Sequence, residues 1–172
     1  ILEVIKAREA EGYSYDTAQA SFELLARREL NQSPNYFEVK RYRVSIERRK
    51  NKYNKMVSLS EAMVVVKVDG EKKLSISESM DETGSDLGPV NALAKALAKD
   101  LGPFQTIIED LRLVDFKVRI TQGGTDAVTC VVIDSEDSHG RRWATVGVSA
   151  NIVDASFEAL LDAVNWKLIR DY

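Results

Sequence analysis

The spacing of apolar positions changes twice along the chain. In YDTAQASFELLARREL, Ala18, Phe22, Leu25 and Leu30 recur every three to five residues, which predicts a helix with Asp16 or Thr17 as its N-cap. ILEVIKAREAE predicts a shorter helix before Gly12, and NQSPN, residues 31–35, is the first clear break. Alternation then takes over in YFEVKRYRVSIERR, through Phe37 and Val39 and then Tyr42, Val44 and Ile46, so a strand is expected with a register shift near Arg41. A basic polar loop around Arg48 to Leu59 follows, then EAMVVVKVDGEKKLSISES, two strands joined by an Asp69-Gly70 turn. After the polar MDETGSD, a helix begins at Gly88, and Gly102-Pro103 closes it.

The order then repeats. LRLVDFKVRIT is a strand with Phe116, Val118 and Ile120 on one face, QGGTD a turn, AVTCVVIDSE and RRWATVGVS a hairpin joined through DSHG, and the last helix runs from about Asn151 to Ile169. YRVSI at 42–46 lies over FKVRI at 116–120, and EAMVVVKVD at 61–69 over DAVTCVVID at 126–134. The pattern is an α+β chain: a helical arm, 1–34, then a domain of two βββα units, 35–102 and 103–172. Two such units bury their open faces together. A duplicated chain of this kind is expected to carry a pseudo-twofold axis and to extend into a symmetric homodimer.

The strand-to-helix corner therefore occurs twice, at Gly88 and at Gly147. Glycine admits close backbone approach, and a helix N-terminus favours a carboxylate. The candidate effector contacts are Asp86, Gly88, Pro89, Val90, Asn91 and Leu93 at the first corner. At the second they are Gly147, Val148, Ser149, Ala150, Asn151, Ile152 and Asp154. Val90, Leu93, Ala150 and Ile152 offer an aliphatic lining, and Asp86 or Asp154 an acceptor for an ammonium.

Composition narrows the chemistry. The 172 residues, 44% hydrophobic and 30% charged, suit a soluble globular chain, and no apolar run nears the roughly 20 residues of a membrane span. The charged start, from Ile1 to Ala10, predicts no signal peptide. The single Cys130, in AVTCVVI, excludes a disulfide framework, suits a cytoplasmic location and is expected as a buried thiol. The single His139, in DSHGRRW, is expected as an exposed turn residue, with neither a metal-ligand set nor a nucleophile at a readable spacing. No catalytic or metal residue is assigned. The basic run Lys40, Arg41, Arg43, Arg48, Arg49, Lys50, Lys52 and Lys55, with Tyr42 and Tyr53 interleaved, invites an RNA reading. The net charge of −3 opposes it, so neither a nucleic-acid nor a membrane partner is expected.

The duplicated pattern, with GPVNAL at 88–93 and WATVGVSANIVDASFEAL at 143–160, resembles the C-terminal regulatory domain of the 2-isopropylmalate synthase and citramalate synthase family. The leading EGYSYDTAQASFELLARREL and YFEVKRYRV look like the citramalate synthase branch, and the likeness covers essentially the whole chain. The resemblance implies an enzyme that condenses acetyl-CoA with a 2-oxo acid in a metal-dependent TIM barrel. It further implies a regulatory domain that binds the end-product amino acid near a dimer interface, isoleucine for citramalate synthases and leucine for isopropylmalate synthases. The barrel and its paired His ligands are absent here, so the expectation is an inactive regulatory fragment without a cofactor. Its partners are then a branched-chain amino acid, a second copy and the barrel of its own chain. A leucine-binding domain and a purely structural dimerisation module are the competing readings.

Overall fold

A computed structural model of the chain describes residues 1–81, 88–122 and 127–172, with backbone alone for Gln122. The chain divides into two compact units, Asn35–Thr106 and a second formed by Ile1–Pro34 with Ile107–Tyr172. Each unit contains one βββα motif, so the repeat in the sequence is a repeat in the fold. No helix among the described residues is long and apolar enough to cross a membrane.

In the first unit, β1 (Glu38–Lys50), β2 (Met56–Val68) and β3 (Glu71–Asp81) form an antiparallel sheet in that order. The shift in alternation near Arg41 is a real irregularity, because the β1–β2 register slips between Val39 and Arg41. The basic stretch is mostly strand rather than loop: β1 continues to Lys50 and the turn is confined to Asn51–Lys55, where Asn51 N–H donates to the Lys55 carbonyl. The Asn51 side chain accepts from Tyr53 and Lys55 N–H, and Asn54 takes a left-handed φ of 60°. Turn chemistry carried by Asn therefore made a tight reversal where net polarity suggested a loop. At the β2–β3 reversal, Asp69 and Gly70 both have positive φ, 51° and 79°, as a two-residue hairpin of this type requires.

Helix α3 (Gly88–Lys99) lies on this sheet with Val90, Leu93, Ala96 and Leu97 buried, against the face of β2 that carries Ser60, Ala62, Val64 and Val66. Past α3, Gly102 adopts φ 57°, the chain makes a short 3-10 turn, Gly102–Phe104, and α4 (Gln105–Ile108) leads into the second unit.

In the second unit, β4 (Arg112–Gln122), β5 (Val128–Glu136) and β6 (Arg142–Ser149) form the equivalent sheet, and α5 (Ile152–Asp171) covers one face of it. The QGGTD turn lies largely outside the described residues. Two side chains of β6 bond into α5: Thr145 Oγ1 donates to Ala159 O at 2.6 Å and Trp143 Nε1 to Ala163 O at 3.1 Å. The arm, α1 (Leu2–Ala10) and α2 (Gln19–Glu29), covers the other face, where Tyr13, Tyr15, Ala18 and Leu25 pack on Cys130 and Val146. Cys130 is a buried free thiol and His139 an exposed turn residue. The N-cap of α2 is Ala18, without a side-chain cap; Asp16 instead accepts from Ser14 Oγ and Thr17 N–H in the turn before it. Phe22 and Leu30, placed by spacing on the buried face, are exposed, because α2 turns Ala20, Ser21, Leu24 and Leu25 inward.

Candidate functional site

At the first corner, α3 begins at Gly88, where a Cβ would stand 3.1 Å from Ser60 Oγ. The glycine accommodates close helix–sheet packing, since a Cβ there would make Ser60 give way by a few tenths of an ångström. Val90 and Leu93 point into the core, while Pro89 and Asn91 are half-buried. Asp86 lies outside the described residues.

At the second corner the packing is closer still. A Cβ on Gly147 would overlap the Ala155 carbonyl oxygen and stand 2.9 Å from Ala159 N, so α5 rests directly on the β6 backbone. Gly147 is buried and does not offer the open corner expected of it. Backbone N–H groups alternate in direction along a strand. Those of Val146 and Val148 point off the free edge of β6, to Ser21 Oγ at 2.9 Å and Glu158 Oε2 at 3.2 Å, so that of Gly147 points into the sheet. The exposed part of this corner is Ala150, Asn151, Ile152 and Asp154, with Val148 and Ser149 half-buried. Asn151 is the N-cap of α5: its Oδ1 accepts from Val153 and Asp154 N–H at 2.8 and 3.3 Å, and its own N–H donates to Ser149 Oγ. The start of α5 is thus already capped by one neutral amide, which leaves the partial positive charge of the helix end without a counter-charge from its cap.

Behind this corner, α5 is tied to the arm by two carboxylates that sequence reasoning missed. Glu158 accepts from Tyr13 Oη at 2.5 Å, and Arg8 donates to the same Tyr13 Oη. Asp162 accepts from Ser21 Oγ and from Arg28 Nη2, each at 2.7 Å. Burial pushes both carboxyls above their ordinary range, against these hydrogen bonds, and burial together with Glu158 raises the Tyr13 phenol. The signal was present in SFEALLDAV, where two acids four residues apart share a helix face with apolar neighbours.

The far end of α5 is pinned by a second polar cluster. Lys167, only 2% exposed, lies 3.0 Å from Asp110, 3.4 Å from Asp137 and 3.1 Å from Asp171, and Arg141 bridges Asp137 and Asp171. Asp110, Asp137 and His139 bring potential ligand atoms within 4.8 Å of one another, a spacing a metal ion would accept. Lys167 and Arg141 already compensate those carboxylates, so the cluster reads as a structural lock.

A cleft of about 300 Å³ lies beside α2, between Asp16, Glu23, Arg142, Trp143, Trp166 and Arg170. Its Trp rings stack at 5.0 Å, and Glu23 satisfies Trp166 Nε1, Arg27 and Arg170. These polar groups are occupied with one another.

Two repeated βββα sheets, each with one helix and preceded by an arm, match a known family model, the LeuA allosteric (dimerisation) domain, over residues 16–168. The chain belongs to this family. The match takes in both sheets and both corners. Similar proteins include the (R)-citramalate synthase of Geobacter sulfurreducens, 43% identical over 170 residues, or 98% of this chain and 30% of that protein. The (R)-citramalate synthase of Aquifex aeolicus is 39% identical over 173 residues, 99% of this chain and 31% of that protein. The 2-isopropylmalate synthase of Methanocaldococcus jannaschii is 34% identical over 104 residues, 60% of this chain and 17% of that protein. The chain thus spans about 30% of the length of the citramalate synthases it matches.

Proposed function

We propose that this chain is the feedback-regulatory and dimerising domain of an (R)-citramalate synthase, taking isoleucine as effector, with leucine the second choice. The likeness to citramalate synthases along nearly the whole chain, arm included, supports that branch over the 2-isopropylmalate synthases. The parent protein condenses acetyl-CoA with pyruvate in the cytoplasm, in a separate catalytic barrel that holds the divalent metal. This domain binds no cofactor of its own.

The observation that carries the dimer is repeated in both units. Each helix lies mainly over two strands of its sheet and leaves the helix-side residues of the third half-buried to exposed. In the first unit these are Tyr42, Val44 and Ile46, opposite Val64, Ala62 and Ser60. In the second they are Phe116, Val118 and Ile120, opposite Ile133, Val131 and Thr129. Ile46 is 58% and Ile120 67% exposed. Apolar strips at matching places in a duplicated unit suit a helix from a second copy, laid beside the resident one. The effector then binds at the exposed start of α5, beside Ala150, Asn151 and Ile152. A purely structural dimerisation module is the second reading, and self-capping by Asn151 favours it.

Inhibition assays on the longer polypeptide separate these readings. Condensation of acetyl-CoA with pyruvate, inhibited by isoleucine at lower concentration than by leucine, is expected. The 172-residue chain alone is expected to release no free CoA. Condensation insensitive to both amino acids would leave the structural module, and CoA release by this chain alone would overturn the assignment.

A further inference from the structure

The two sheets differ on the face turned away from their helices. In the second unit the arm covers that face, and Cys130 and Val146 there are at most 1% exposed. In the first unit the same face carries Met63 and Val65 on β2, with Leu74, Ile76 and Met80 on β3 exposed at 55%, 44% and 55%. We propose that this outer face of β1–β3 docks the part of the polypeptide that the citramalate synthases carry outside this domain. The inference rests on the regulatory reading above, which needs a surface through which effector occupancy reaches the rest of the protein.

The chemistry of the face describes its occupant. Two apolar rungs, Val65–Leu74 and Met63–Ile76, form the centre. Arg41 and Arg43 flank them on β1, opposite Val65 and Met63, and Arg43 reaches the Met63 sulfur. Lys67 and Lys72 pair across the next rung, while Glu61 and Glu78 pair on the other side of the centre. Like charges directly opposite one another destabilise a sheet that stands alone. A partner surface that is apolar at its middle, acidic towards the Lys67–Lys72 rung and the two arginines, and cationic towards Glu61 and Glu78 resolves both rungs.

The register also argues against a second copy of the arm as occupant. Val132 and Val146 form the rung that the arm covers in the second unit, and Lys67 and Lys72 stand at the matching rung of the first. An arm laid there would bury two lysines against tyrosines. With this chain covering only about 30% of the length of its citramalate synthase relatives, the remaining polypeptide is large enough to supply the surface.

Methionine oxidation by hydroxyl radicals tests this in the full-length protein against the 172-residue chain, at equal concentration. Met80 and Met56 are both 55% exposed, and Met56 lies at the β1–β2 turn, so it serves as the internal reference. The expected result is a Met80 oxidation rate several-fold lower, relative to Met56, in the full-length protein, restored by Ile76→Glu. Equal relative rates in the two proteins would overturn the proposal. Slowing of Met80 in the chain alone as its concentration rises would also overturn it, in favour of a second copy. Failure of isoleucine to bind would remove the feedback reading while leaving the Met80 result to stand on its own.

Discussion

Gly147 and Gly88 have the same task, and neither has a left-handed backbone. Each permits a helix to approach a strand until a Cβ would touch it, and at Gly147 the atoms in the way are helix backbone. Backbone cannot rotate aside as a side chain can, so Gly147→Ala should destabilise the chain by about 3 kcal/mol, at the upper end of ordinary overpacking. Urea unfolding checks this, and an unchanged midpoint would mean that α5 sits higher on the sheet. The glycine was visible in the sequence and its purpose was not, because a glycine before a helix looks the same whether it admits a ligand or a helix. Asp137 shows what a polar side chain does at the same scale. Burial works against its charge, yet Arg141, the Arg141 and His139 N–H groups and Lys167 hold it well below the ordinary carboxylate range. Asp110 is likewise held, at about 2, against burial, by Ser138 and Lys167. A carboxylate held low stabilises the fold above its unfolded pKa and loses that contribution as pH falls through the folded one. Asp137→Asn should therefore cost roughly 3 kcal/mol at neutral pH by leaving buried Lys167 under-compensated. In thermal unfolding followed against pH, the gap from wild type should stay constant above about pH 5 and close as pH falls below about 4. A gap independent of pH would contradict the lock.

At the scale of elements, α5 joins the corner to the arm. Ser21 Oγ donates to Asp162 and accepts from Val146 N–H, so one hydroxyl satisfies the free edge of β6 and fixes α2 against α5. Ser21→Ala leaves a buried donor and a buried carboxylate each short of a partner, and should cost about 1–3 kcal/mol. Amide hydrogen exchange should speed at Val146 while Val131, in the middle of the sheet, keeps its protection; equal protection at Val146 would show that the edge is covered in another way. The order of the main helices and strands, the parity shift near Arg41 and the Asp69-Gly70 hairpin were legible, since periodicity and turn chemistry are local. The inward face of α2 was not, because Phe22 and Ser21 exchange roles according to where α5 presents Asp162. The turn at Asn51–Lys55 was hidden by its charge, although Asn51 and Asn54 are the residues such a reversal uses.

At the scale of the whole molecule, the repeat was legible because the two units keep the same order of apolar positions. The partly exposed strips on β1 and β4 were not, because an apolar alternation reads alike whether its own helix or a partner's covers it. Ile120→Asp places a charge in the strip of the second unit without touching its core. Analytical ultracentrifugation at tens of micromolar should give twice the 19.2 kDa chain mass for the wild type and the single-chain mass for Ile120→Asp. A wild-type monomer would remove the dimer, and an unaffected variant would move the interface elsewhere. The central claim, an allosteric domain that binds a branched-chain amino acid at the start of α5, is tested most directly by calorimetric titration of this chain with isoleucine, beside Ile152→Asp. Saturable heat for the wild type, stronger than with leucine and lost in Ile152→Asp, is the predicted result. No heat from either amino acid in a folded, dimeric wild-type chain would contradict it.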